Sequence, residues 1–142
     1  MSDILAALKN HIATDGSLSE LVGERVQYST IPEGETFPVI CMWCAGDNPV
    51  INLAGKSSNH TVSVFRLDIY SLRADTTRAI RAALLDRLNG FFGTMWAKAK
   101  GDDPAESVEV YSTIYLDGRS VDYKDKQKIY GWECEFEIAY KE

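Results

Sequence analysis

The sequence predicts an α+β fold in which a single antiparallel sheet of four to five strands has helices packed on one face. Residues 61–72 alternate apolar and polar side chains at strand spacing and lead directly into an amphipathic helix. Residues 130–140 alternate in the same way and place glutamates on one face. No repeat, low-complexity tract or boundary divides the 142 residues, so residues 1–142 are predicted to form one domain.

The N-terminal segment predicts two helices. Apolar residues recur at helical spacing over residues 4–12. Asp15 and Gly16 are expected to end this first helix, because glycine tolerates the left-handed conformation of a helix end. Ser17 and Glu20 have the spacing of a capping box, which predicts a short second helix.

Two strands and a long connection are predicted next. Residues 25–31 form the first strand, and residues 39–45 form the second, opened by Pro38 at the position where a strand tolerates proline best. Residues 46–60 are predicted to be a loop or an extended hairpin arm. This arm carries three apolar residues that a free loop has no reason to contain: Val50, Ile51 and Leu53.

The main helix follows the strand over residues 61–72. Asp75 is its predicted N-cap, and Gly90 lies where a C-terminal glycine is expected. Residues 92–100 are predicted either to prolong the helix or to pack irregularly around Trp96.

The last third of the chain predicts two strands joined by a charged arm. Residues 108–116 alternate at strand spacing, with Ile114 and Leu116 on the apolar face. Asp117-Gly-Arg is predicted to turn the chain into a charged arm over residues 118–128, which precedes the final strand.

Composition and charge exclude several classes of protein. The formal net charge of −6 disfavours binding to phosphate backbones, and no basic helix appears, so no sequence-specific nucleic-acid binding is predicted. No apolar run is long enough to cross a bilayer, so no membrane partner is expected. The N-terminus lacks the pattern of a signal peptide, and three cysteines suit a reducing compartment. The protein is therefore expected to be made and kept in a cytoplasm.

The cysteines and histidines do not predict a catalytic or metal site. Cys41 and Cys44 have the spacing of redox and zinc motifs, but residues three apart in a strand point to opposite faces. Cys134, His11 and His60 are not paired at ligand spacing. His11 lies near the end of the first helix, where a positive charge is favourable. No cofactor or metal is therefore predicted.

The acidic residues predict a surface rather than a catalytic pair. Glu133, Glu135 and Glu137 are expected to meet solvent or a basic partner. The chain contains no nucleophile-elbow motif and no glycine loop for phosphates. The protein is therefore predicted not to be an enzyme.

Five motifs in order resemble the tail-completion (tail terminator, tail-to-head joining) proteins of long-tailed bacteriophages and prophages. They are residues 22–28 (VGERVQY), 37–40 (FPVI), 53–55 (LAG), 65–71 (FRLDIYS) and 84–90 (LLDRLNG). The resemblance covers about residues 1 to 92. Residues 92–128 are longer than the family pattern.

The resemblance implies a structural virion protein that closes a ring, often of six subunits, on the end of the tail tube. Its implied partners are further copies of itself, the tail tube protein and the head-completion or connector protein. Its implied place is the tail or neck of the virion, after assembly in the host bacterial cytoplasm. A closed ring needs heterologous contacts between different patches. The two arms offer candidate interface residues: Val50, Ile51, Leu53, Arg119, Asp122 and Tyr123.

Two alternatives from other classes remain open on the sequence. One is a small cytoplasmic thiol or metal enzyme that uses Cys41 and Cys44. The other is an immunity-type binding module whose acidic sheet masks a basic partner.

Overall fold

The computed structural model describes residues 4–23, 25–28, 37–51, 57–96, 107–124 and 128–141. These residues form three helices and six strands: α1 (Ile4–Ala13), α2 (Gly16–Val22), β1 (Val26–Tyr28), β2 (Val39–Ile51), β3 (Ser57–Ser71), α3 (Ala74–Leu88), β4 (Gly93–Trp96), β5 (Ser107–Lys124) and β6 (Lys128–Lys141). No helix in this part of the chain has the length and apolar character needed to span a membrane.

The predicted fold class is wrong. The six strands form one curled, mixed sheet of half-barrel shape in the order β1-β2-β3-β6-β5-β4, and strands make up most of the described residues. β1 pairs with β2 in parallel, and the other neighbours are antiparallel. Strands outweigh helices because β2, β3, β5 and β6 all extend beyond their predicted ends.

The main core lies between one face of the sheet and the three helices. Residues directly opposite in a ladder share a face, so Phe65 and Phe136 lie side by side in this core. The alternation predicted for β6 is confirmed, because Phe136 and Ile138 are fully buried on the core face. The largest fully buried side chains are Phe65, Phe136, Leu8, Ile12, Leu18, Ile40, Met42, Leu67, Ile69, Ile80, Leu84 and Leu88.

The predicted N-terminal caps of α2 and α3 are wrong, whereas Gly90 lies one residue beyond Asn89, the C-cap of α3, with a φ of 81°, as predicted for a glycine at a helix end. Asp15 does not end α1 but begins α2, where its Oδ2 accepts a hydrogen bond from the Leu18 backbone N–H at 3.0 Å. The proposed Ser17 capping box is therefore displaced by two residues. Arg73 is the N-cap of α3 and makes no side-chain cap. Asp75 instead lies in the first turn of α3, where it forms an ion pair with Arg73 at 3.1 Å. Its negative charge also interacts favourably with the positive end of the helix dipole.

Residues 93–96 form a strand, not an extension of the main helix. β4 pairs with the start of β5, from Gly93 opposite Val110 to Trp96 opposite Ser107. Met95 is fully buried in the main core. Four residues are too few for alternation to identify a strand in the sequence.

The predicted turn at Asp117-Gly-Arg does not exist, because β5 runs through it to Lys124. Position 118 has room only for glycine. A Cβ atom at this position would lie 2.6 Å from the Trp132 ring and would overlap the Tyr115 hydroxyl. The glycine therefore marks a close approach of two aromatic side chains within a strand.

Candidate functional site

The face of the sheet opposite the main core carries a network of charged side chains, here called the polar face network: Arg66 and Asp68 of β3, Arg119 of β5 and Glu133 of β6. Strand alternation places Arg66 and Asp68 on the same face, as the sequence predicts. The register puts Asp68 and Arg119 on either side of Glu133. Three separate stretches of the chain are thereby brought together.

Glu133 is the centre of this network. Its Oε2 is 2.7 Å from Arg66 Nη2 and 2.9 Å from Arg119 Nη2. Arg66 Nε also donates to Asp68 Oδ1 at 3.2 Å. Glu133 is 8% exposed and Asp68 only 1% exposed, so both carboxylates have lost most of their water. The predicted basic partner of Glu133 is thus found within the chain itself.

Burial raises the pKa of Asp68, and the neighbouring Arg66 opposes this shift only in part. The Tyr70 hydroxyl donates to Asp68 Oδ2 at 3.2 Å, which also favours the charged form. A cleft of about 210 Å³ lies beside the network and is lined by arginines and acids together with Gly118 and Cys134. Among the described residues, no group of three or more His, Cys, Asp or Glu side chains is arranged to hold a metal ion.

Cys41 and Cys44 point to opposite faces of β2, as predicted. Cys41 is buried with Val39 and Tyr70 in a small apolar cluster on the polar face. Cys44 packs against the main core. The two thiols therefore cannot bind one metal ion or form a redox pair without refolding the strand. Cys134 is buried in the main core, and burial raises its pKa to about 12, so it remains a thiol rather than a reactive thiolate.

Strand β5 exposes apolar side chains that the sequence predicted to be buried. Ile114 is 48% exposed and Leu116 45% exposed. The register of β5 against β6 shifts between Val110 and Ser112 and again between Tyr115 and Asp117. Each shift is a β-bulge, which changes the face on which the following residues lie. Ile114 consequently lies opposite Glu137, on the face away from the main core.

A groove of about 260 Å³ lies on the core side, between the first half of α3 and the paired ends of β5 and β6. Arg78 and Arg81 line it from α3, and Ser120 and Asp122 line it from β5. The Arg81 guanidinium stacks over the Trp132 ring at 4.2 Å from the ring centre. We call this feature the arginine groove.

The predicted interface residues fall at two ends of the sheet. Val50 and Ile51 lie in the β2–β3 hairpin, near the Thr61–Tyr140 pair. Arg119, Asp122 and Tyr123 lie at the other end, near the Ser71–Tyr130 pair, and Leu53 falls outside the described residues. The ten residue-to-residue steps from Thr61 to Ser71 span roughly 33 Å in a strand.

Arg119 and Asp122, two of the predicted interface residues in β5, lie in different surroundings. Arg119 belongs to the polar face network, whereas the exposed Asp122 lines the arginine groove on the other face. Strand alternation explains this difference, because the two residues are three apart in one strand.

His11 does not carry the favourable positive charge predicted for a helix end. The residue is 8% exposed, and its ring lies against Phe91 with the ring centres 4.2 Å apart. Burial, reinforced by the nearby Arg87 charge, lowers the pKa of His11 from 6.5 to about 4. Desolvation therefore outweighs the helix dipole at this position.

The described part of the chain is thus mostly one curled, mixed sheet with three helices, a charged network on one face and a groove on the other, and its cysteines form no paired thiol site. Neither a protein-family model nor a curated protein matches the sequence. Among solved structures, the fold is similar to that of one chain in the virion of a native gene transfer agent particle. The TM-score is 0.72 at 14% identity, over 99% of this chain and 96% of that chain.

Proposed function

We propose that this chain is a structural protein of a phage-like virion. The observation that carries this proposal is the shared fold with a virion chain over nearly the whole length of both proteins. The separation of Cys41 and Cys44 onto opposite faces argues against the thiol or metal enzyme.

Within that class, we infer the role of a tail terminator. Copies of the chain, six in a ring, cap the tail tube, halt its polymerisation and present the surface that joins the head-completion protein. This role follows from the five family-like motifs. It is supported by the positions of the two predicted patches at opposite ends of the sheet, since a ring needs different patches on the two sides of each subunit.

Assembly in the host cytoplasm and a final place in the tail or neck of the virion complete this proposal. The acidic binding module is the weaker reading, because Arg66 and Arg119 already neutralise Glu133. Only part of the acidic row therefore remains for a basic partner.

The proposal is tested by adding the purified protein to growing tail tubes of the same virion and measuring tube length by electron microscopy. Tubes should stop growing and carry a ring at one end. Native mass spectrometry of the reduced protein should show a ring-sized oligomer without metal. Tubes that elongate unchanged, with no protein bound, would contradict the terminator role.

A second variant tests whether the predicted arm lies in the ring interface. Replacing Val50, Ile51 and Leu53 by Ser is expected to leave folding intact, measured by circular dichroism, and to abolish ring closure. Unchanged ring formation would remove this arm from the interface.

A further inference from the structure

We propose that the arginine groove of one copy binds the acidic sheet face of the next copy, which gives a head-to-tail contact held by complementary charge. The acidic face consists of Asp117 of β5 with Glu135 and Glu137 of β6. This inference rests on the proposed function, because it names the surfaces by which ring subunits meet.

The first observation concerns the arginines. Five of the seven arginines in the sequence are engaged within the chain. Arg66, Arg73, Arg87 and Arg119 face carboxylates, and Arg25 donates to the Pro38 carbonyl at 2.7 Å. In the described part of the chain, no hydrogen bond or ion pair joins Arg78 or Arg81 to a carboxylate or carbonyl, and Arg81 is held only by stacking on Trp132. Both line the same groove, where two guanidinium groups outnumber the single carboxylate of Asp122.

The groove also holds hydrogen-bond donors. Trp132 lines it, and the buried Nε1 of Trp132 has no acceptor among the described residues. The Ser120 hydroxyl lies in the same lining. Exposed guanidinium groups and a hydroxyl favour a ligand that brings carboxylate oxygens.

The second observation concerns the acids. Asp117 lies opposite Glu135 in the β5–β6 ladder, and Glu137 lies opposite Ile114 on the same face. No ion pair within the described residues reaches any of these three carboxylates, whereas their neighbour Glu133 is paired twice. Like charges placed directly opposite one another repel, so a cation from outside the chain would relieve this pair.

Both patches lie on the β5–β6 hairpin but on opposite faces of the sheet. A surface that is basic on one side and acidic on the other fits a second copy of itself in one direction only. This arrangement is heterologous, and it propagates from copy to copy until a ring closes. A long polyanion is the poorer occupant of the groove, because the whole chain carries a net charge of −6.

The test is a charge swap with two double variants. The groove variant carries Arg78→Glu and Arg81→Glu, and the face variant carries Glu135→Lys and Glu137→Lys. Self-association of each is measured by analytical ultracentrifugation at physiological ionic strength, after circular dichroism and thermal melting have shown that both fold. Each variant alone should self-associate at least about tenfold more weakly than wild type.

An equimolar mixture of the two variants should recover association. The lysines of the face variant then meet the glutamates of the groove variant, and the remaining contact keeps its original charges. The mixed assemblies should contain equal numbers of the two variants, because every contact must alternate.

Net charge alone predicts a different outcome. Each substitution changes the charge by two, so the face variant has a net charge of −2 and the groove variant −10. Weaker general repulsion would make the face variant associate more strongly than wild type. That result would overturn the proposal, as would a mixture that fails to associate or a wild-type protein that stays monomeric at every concentration. Tube capping by wild type in these cases would leave the terminator role standing without this contact.

Discussion

Lowering the pH from about 7.5 to about 5 is expected to remove about 2 kcal/mol from the free energy of unfolding through His11 alone. In the folded protein the pKa of His11 is lowered to about 4, while the unfolded chain has the ordinary value of 6.5. Between these values the unfolded state binds more protons than the folded state. The contribution is therefore fully present above pH 6.5 and is lost as the pH falls toward 4.

The magnitude follows from the size of the shift. The pKa of His11 differs by about 2.5 between the unfolded and the folded state. At 1.36 kcal/mol per pKa unit, this difference contributes at most about 3.4 kcal/mol to the free energy of unfolding. About 2 kcal/mol of this is reached at pH 5, where folded His11 is still largely neutral. The physical cause is burial beside Phe91 together with the Arg87 charge, and the Asp15 carboxylate opposes it only weakly.

Urea denaturation followed by tryptophan fluorescence measures this loss at the two pH values. Asp68 works in the opposite direction, because a raised carboxyl pKa makes the protein more stable as the pH falls through that pKa. The comparison must therefore be between wild type and His11→Gln, which share Asp68. His11→Gln should lose about 2 kcal/mol less than wild type over this interval.

The second histidine supplies the control. His60 packs against Tyr111 with ring centres 4.8 Å apart, away from His11. His60→Gln retains His11 and should lose as much stability as wild type does. If wild type and His11→Gln lose equal stability between the two pH values, the assignment of the acid sensitivity to His11 is refuted.

Three further tests of the packing and of the polar face network use the same denaturation assay. Gly131→Ala should cost about 1–3 kcal/mol, because its Cβ would overlap the Val121 carbonyl, whereas Gly46→Ala meets nothing within 4 Å and should cost less than about 1 kcal/mol. Equal costs would remove the steric explanation. Glu133→Gln should cost about 1–3 kcal/mol by weakening two arginine contacts, and Glu135→Gln less than about 0.5 kcal/mol; the reverse order would contradict the network. Phe136→Ala, in the centre of the core, should cost about 3–5 kcal/mol, and a loss below about 1 kcal/mol would contradict its central place.

The sequence predicts those parts of the fold whose signal is local and long. The alternation in β6 and the apolar stripe of α3 each extend over enough residues to identify an element and its buried face. β4 and the parallel pairing of β1 could not be predicted in this way. β4 has four residues and β1 three, which is too short for a clear alternation, and sequence alternation does not say whether a strand pairs in parallel or antiparallel.

The errors in β5 have a specific cause. Alternation assumes an uninterrupted ladder, but the bulge between Val110 and Ser112 turns Ile114 outward and brings Thr113 inward, and the bulge between Tyr115 and Asp117 reverses the faces again. Glycine also has two meanings in a sequence. Gly118 suggested a turn, yet it lies inside a strand because Trp132 and Tyr115 occupy the space of a side chain.

The polar face network was predictable only in part. Strand alternation places Arg66 with Asp68, and Glu133 with Glu135, each within its own strand. Which glutamate contacts the arginines depends on the register of β6 against β3 and β5. That register cannot be predicted from the alternation within single strands. The arginine groove was missed for a similar reason, because it joins a helix to two strands that follow it by about 40 residues.

Under the proposed function, the charge distribution also explains how assembly could wait for the tube. Two copies with a net charge of −6 repel each other at a distance, while the groove and the acidic face attract only at contact. Salt screens the distant repulsion over a Debye length of about 8 Å at physiological ionic strength and weakens partly buried pairs less. Moderate salt should therefore favour association, and low salt should oppose it. A copy that is already bound at the tube end holds the next copy close enough for the groove and the acidic face to touch, so long-range repulsion no longer limits association. Rings should therefore close faster on the tube than in solution.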